Sequence, residues 1–267
     1  MTTPPRPKPL HLTLLAVFLL LLVLWLVNTP AGLLGKADAV GYAVCHRIAA
    51  RSFLIGDRPL PLCSRCSGMY LGALAGMALQ FRLGRRSGTP PRKFLVILAL
   101  FLLAFGVDGV NSYLHFFPAL PSLYAPHNWM RLVTGTGLGL GLAAVVVPIF
   151  NQSVWTPWDD TPLLAGWREF GALLALGAAV IGLMLTENPL LLYPLALLSS
   201  FSVLLILSLV YTIVWILITK KENVFHSWWE LWPYLTAGAI TALAQIAVID
   251  LLRYRFTGTW DGFSLGG

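Results

Sequence analysis

Charge is what this sequence has least of. Its 267 residues carry 18 Lys and Arg and 11 Asp and Glu, 11% in all, against 57% hydrophobic residues. A soluble domain carries roughly 25% charged residues, so a water-facing globular surface and a disordered chain are both excluded. Cysteine is scarce and odd in number, with Cys45, Cys63 and Cys66 all in one stretch. Three thiols do not make a plain disulfide framework. No Gly-x-Ser-x-Gly elbow, phosphate loop or paired catalytic carboxylates occur, and no period of 20 to 50 residues points to a repeat architecture. The net charge of +7 comes without a basic stripe interleaved with aromatics, so nucleic acid is not an expected partner.

Long apolar runs are what the sequence does have. Continuous segments at about residues 10–27, 67–81, 94–110, 129–150, 170–186, 190–219 and 234–252 read as membrane spans, the first long enough for the ~30 Å hydrocarbon core at ~1.5 Å per residue. The expected fold is an all-α integral membrane protein, a bundle of about seven transmembrane helices with a short cysteine-containing extramembrane hairpin. The first run is longer than a signal-peptide core and reads as a retained anchor, although Ala37-Asp38-Ala39 resembles a cleavage site. Trp155, Trp158, Trp167, Trp228, Trp229 and Trp232 flank the runs, as interfacial aromatics do. The expected organisation is a mobile Pro-rich tail at 1–9, a membrane core at 10–150 holding the cysteine loop 31–66, further helices at 151–255, and a tail at 256–267. Lys and Arg divide ten to eight between the two sides. The dense block Arg82–Lys93 sets the orientation: N-terminus inside, cysteine loop outside, in the inner cell membrane.

Within the loop, Asp38 reads as a cap for a short helix, Phe53-Leu54-Ile55 as a strand, Gly56-Asp57 as a turn and Pro59–Leu62 as the return. The segment delivers Cys63-Ser64-Arg65-Cys66 to the mouth of the second run. A two-residue spacer lets both sulfurs face one tetrahedral ion, so Cys45, His46, Cys63 and Cys66 form a candidate zinc or iron site, structural or catalytic. Adjacent side chains diverge, so Cys45 and His46 rarely share a metal. His115, His127, Asp108 or water are the alternative fourth ligands. Arg47, Arg51, Arg65, Asp108 and Arg131 are supporting charges, with Asp108 and Arg131 expected to pair. The rival reading is a thiol–disulfide oxidoreductase coupled to quinone, its thiolate stabilised by the helix dipole and Arg65. A third is an accessory subunit of a larger membrane complex, contacting lipid and other subunits. Gly68, Gly72 and Gly76, and less regularly Gly135 to Gly141, predict close helix packing. Asn128 is expected to cap its helix, and Asp250 to pair with Arg253.

Cys45-His46-Arg47, Arg51-Ser52-Phe53 and Pro61-Leu62-Cys63-Ser64-Arg65-Cys66-Ser67-Gly68-Met69-Tyr70-Leu71-Gly72 resemble the signature of domain-of-unknown-function family 2085, a prokaryotic membrane family. Asp108–Tyr113 and Asn128–Gly135 fit the same pattern. The resemblance covers about residues 42–141 and leaves out the last three runs. It implies a shared membrane core with a cysteine–histidine site and carries no established activity.

Overall fold

A computed structural model describes residues 9–115, 117 and 121–263. The expected mobile tail lies, but for Pro9, outside the described residues. Eight α-helices form an all-α bundle: α1 (Pro9–Asn28), α2 (Gly32–Val44), α3 (Ser64–Arg82), α4 (Arg92–Leu114), α5 (Asn128–Val154), α6 (Trp167–Leu185), α7 (Pro189–Ile218) and α8 (Trp228–Thr257). Among the described residues six of them, all but α2 and α3, are long and apolar enough to cross a membrane. The second expected span is α3. Its 19 residues link the end of the bundle where α1 stops to the end where α4 begins, but Arg65, Gln80 and several Gly and Ser dilute its hydropathy. Other helices cover it instead of lipid.

Local chemistry sets the helix ends. Pro189 occupies the first turn of α7, where a missing N–H costs nothing, and the Asn188 side chain accepts from the Leu190 N–H at 2.9 Å. Gly258, at φ 68°, closes α8 in the left-handed region. Asn128 does not cap α5. His127 holds that position, and the Asn128 side chain reaches the Ala50 carbonyl at 3.3 Å and accepts from Arg131 at 2.9 Å. Nor does Asp38 cap α2. It lies buried in mid-helix, paired with two arginines.

The centre of the bundle is the parallel contact of α3 with α5. A Cβ on Gly135 would stand 2.1 Å from the Arg65 carbonyl oxygen, and one on Gly139 would stand 2.1 Å from that of Met69. Gly68 and Gly72 meet α5 in return, at Leu132 and Thr136. The small-residue stripes expected to pack are therefore one interface seen from both sides. Around it α6 and α7 cover α3, while α1 lies at the rim against α8.

The two ends differ. At the end holding the block Arg82–Lys93, strand β3 (Arg86–Gly88) pairs in parallel with β4 (Asp159–Pro162). Trp155 sits here in the core, only 1% exposed, under the Arg85 guanidinium at 4.1 Å and against Phe150 and Trp228. It is thus no interfacial indole, because its N–H is satisfied internally by Asn151 at 3.2 Å. At the other end the chain forms a cap: α2, a 3-10 turn at Ala49–Arg51, and the hairpin of β1 (Leu54–Ile55) with β2 (Arg58–Pro59). The hairpin has the expected place and turn. Gly56 supplies the left-handed φ of 61° that the turn requires.

Candidate metal centre

One close approach assembles the thiols. At Gly41 a Cβ would stand 2.0 Å from the Pro61 carbonyl, so α2 lies directly on the chain returning from the hairpin. This lays the end of α2 beside the start of α3. Cys45 ends α2, its N–H donating to the Gly41 carbonyl at 2.8 Å. Cys63 is the N-cap of α3, and Cys66 follows in the first turn. The three sulfurs lie within 4.8 Å of one another, a group that can hold a metal ion. Cys45 and Cys63 are buried, at 7% and 2% exposure. The Cys63 and Arg47 backbone N–H groups donate to Cys45 Sγ at 3.4 and 3.5 Å. Arg47 reaches that position by adopting a φ of 53°, a cost for a non-glycine residue that the surrounding contacts must offset.

Arginines surround the group. Arg253 of α8 donates to the Cys45 carbonyl at 2.7 Å and lies over the Tyr42 ring at 4.0 Å. Arg47 pairs with Asp38 at 2.7 Å, and Arg58 pairs with the other carboxylate oxygen. Arg65 makes a buried ion pair with Asp108, which also accepts from Tyr124 at 2.9 Å and Thr134 at 3.3 Å. Arg51 donates to the Ser112 carbonyl at 2.8 Å. The segment after α8 then straps the cap down. Arg47 donates to the Trp260 carbonyl at 2.7 Å, Tyr42 to that of Thr259 at 2.8 Å, and the Phe263 N–H to that of His46 at 3.0 Å.

The expected ligands separate into two sets. Cys45, Cys63 and Cys66 converge. Among the described residues no other His, Asp or Glu joins them. His46 turns its Nδ1 to accept the Ile48 N–H at 3.1 Å, as expected for a neighbour of Cys45 pointing the other way. His115 ends α4 with Nδ1 3.4 Å from Ser122 Oγ. His127 is the backbone cap of α5, and Asp108 is committed to Arg65. The expected Asp108–Arg131 pair is therefore corrected. The absence of a Cβ at Gly135 lets the first turn of α3 sit against α5, which brings Arg65 to the carboxylate first. The expected Asp250–Arg253 pair is also absent. Asp250 accepts from Trp25 Nε1 at 3.0 Å, while Arg253 turns to the Cys45 and Tyr42 carbonyls. Sequence reading missed Tyr42, Arg253 and Trp260. The one available signal is a run of Arg253, Tyr254 and Arg255 at the end of an apolar helix, and it names no partner.

Hydrogen bonds from the Cys63 and Cys66 thiols hold the Cys45 thiol well below its ordinary value. The same contact with Cys45 pushes the Cys63 thiol up to about 12. The acidic sulfur is therefore Cys45, not the helix-mouth Cys63. Burial lowers His46, with Arg51, Arg65 and Arg131 adding to the effect. Three sulfurs form a soft, electron-rich donor set within a shell of guanidiniums. Such a set suits a thiophilic metal carrying excess thiolate charge.

The family model described as "Predicted membrane protein (DUF2085)" matches residues 45–145. The chain is similar to an uncharacterised protein of Methanocaldococcus jannaschii, 30% identical over 118 residues, which are 44% of this chain and 70% of that protein. It is also similar to an uncharacterised protein of Methanothermobacter thermautotrophicus, 31% identical over 105 residues, 38% of this chain and 83% of that protein. No solved structure matches.

Proposed function

Since the chain belongs to the DUF2085 family of predicted membrane proteins, we propose that it is a multi-pass metalloprotein in which Cys45, Cys63 and Cys66 bind one zinc or iron ion. One observation carries the reading. Three sulfurs from two separate chain segments converge within 4.8 Å in a buried place, while backbone N–H groups donate to one of them. Tetrahedral zinc–thiolate bonds of ~2.3 Å need sulfurs only slightly closer than that. The ion would clamp the end of α2 to the mouth of α3 and so fix the hairpin between them. His46 turns away, so the fourth position would be open to water or a small ligand, the pattern of sites that do chemistry. The cap faces out of the inner cell membrane, with the block Arg82–Lys93 inside. The helices α6, α7 and α8 are an addition to the family core, which they cover on one side.

The test is metal content together with free thiols, measured on the full chain in mild detergent. About one zinc or iron per chain, lost in Cys63→Ser and in Cys45→Ser, supports the site. Metal-free protein with a reducible Cys63–Cys66 disulfide overturns it. That outcome favours the second reading, thiol–disulfide exchange, which the mutual contact of the three thiols would serve.

A further inference from the structure

Beside the cap, between α1 and α8, lies a cavity of about 400 Å³. Its walls are mostly apolar and aromatic, with Leu21, Trp25, Ala247, Tyr254 and Trp260, and Asn28 and Thr29 close the end where α1 stops. The one carboxylate that lines it is Asp250, which is 3% exposed. Trp25 Nε1 donates to Asp250 Oδ2 at 3.0 Å, and Oδ1 has no partner. A buried carboxylate oxygen left unpaired is costly, and an ionisable side chain within a membrane helix marks a functional site more often than a structural one. The cavity has the size of a small-molecule pocket. Leu24 and Leu251, both more than half exposed on the outer faces of α1 and α8, stand at its edge, so entry is from the apolar side.

We propose that this cavity binds the head of a lipid-soluble hydroquinone, one ring hydroxyl donating to Asp250 Oδ1. Three features choose this class. The free oxygen is an acceptor and needs a donor. The flanking indoles and phenol suit a planar ring, and the apolar wall along Leu21 and Ala247 suits a hydrocarbon tail. A cationic amphiphile would also reach a carboxylate, but Arg253 stands three positions on in α8 with only carbonyls as hydrogen-bond partners, and a second positive charge would be repelled. The neutral donor is therefore favoured. The inference does not depend on metal at the thiols. The cavity nevertheless adjoins them: Trp25 shares a core cluster with Cys45 and Cys63, and Trp260 packs on Tyr42 at 5.1 Å.

The experiment titrates the full chain in mild detergent with decyl hydroquinone, kept reduced, and follows tryptophan emission, since Trp25 and Trp260 line the cavity. Saturable quenching at one site is expected. The dimethyl ether of the same ring, lacking donors, should bind about tenfold more weakly or worse, and Asp250→Leu should lose the distinction between the two. Ala247→Phe fills the cavity without touching the carboxylate and should abolish quenching. This variant and the ether keep the test decisive if Asp250→Leu does not fold. The proposal is overturned by non-saturable quenching, by equal binding of the ether, by tighter binding of decyltrimethylammonium, or by unchanged quenching in a folded Ala247→Phe protein. Metal content measured on the same samples separates this result from the fate of the thiol site.

Discussion

Asp108 is 1% exposed and accepts from Arg65 of α3, Tyr124 of the following loop and Thr134 of α5. One carboxylate thus ties three segments together. Removing one partner of a buried ion pair costs about 3–5 kcal/mol, because the other charge is left uncompensated. Asp108→Leu should therefore lower the unfolding free energy in detergent by an amount in that range, and the double variant Arg65→Met, Asp108→Leu should recover part of the loss. A double variant no better than the single one would show that the carboxylate acts through Tyr124 and Thr134. The pairing also marks where residue-level reading stops. The convergence of Cys63 and Cys66 could be read from their spacing, and the divergence of His46 from its adjacency to Cys45. Arg65 as the partner of Asp108 could not, because the choice between Arg65 and Arg131 depends on how close α3 comes to α5. Arg253 reaches the Cys45 carbonyl from 208 positions away, and no local pattern encodes that.

Among the elements, α3 and α5 approach closely enough that backbone faces backbone. An added Cβ at Gly139 would meet the Met69 carbonyl at 2.1 Å, and the α3 backbone cannot yield without moving the helix that carries Cys66. Gly139→Ala should destabilise the protein by about 1–3 kcal/mol, read from thermal unfolding in detergent. It should also loosen the metal proposed for the thiols, read as faster transfer to a chelator. Gly141, with nothing within 4 Å of an added Cβ, is the control, and Gly141→Ala should be close to neutral. Equal effects at the two positions would refute close packing as the reason for the glycines. At this scale the sequence was informative about existence and poor about pairing. Glycines four apart announced a packed face on each helix, yet nothing in either helix named the other. Apolar runs placed the helices to within a few residues, but α8 begins at Trp228 instead of Tyr234, because Leu231 is buried at the end of the bundle and the half-exposed Trp228 packs on Phe150 and Trp155. Trp155 misled for the same reason: an indole near a helix end belongs to the interface unless the chain folds over it.

For the whole molecule, the cap and the basic end lie at opposite poles. Reporter fusions should show this directly: a reporter placed after Thr161 should be active only inside the cell, and one placed after Phe263 only outside. The reverse pattern would invert the orientation while leaving the fold intact. If the clamp is metallic, a chelator should lower the unfolding midpoint and open the hairpin to proteolysis near Asp57, because ligand binding to the folded state adds directly to its stability. Unchanged protection in metal-free protein would assign the hairpin's order to α2 and the strap alone. The strap has a consequence in time. A ribosome makes the chain from its N-terminal side, and Arg47 leaves it 213 positions before Trp260, to whose carbonyl it will donate. Once Cys66 has followed, the three cysteines exist but the closing segment does not. The nascent protein therefore passes through a stage in which the cluster is uncovered, and synthesis of the segment after α8 is what closes it.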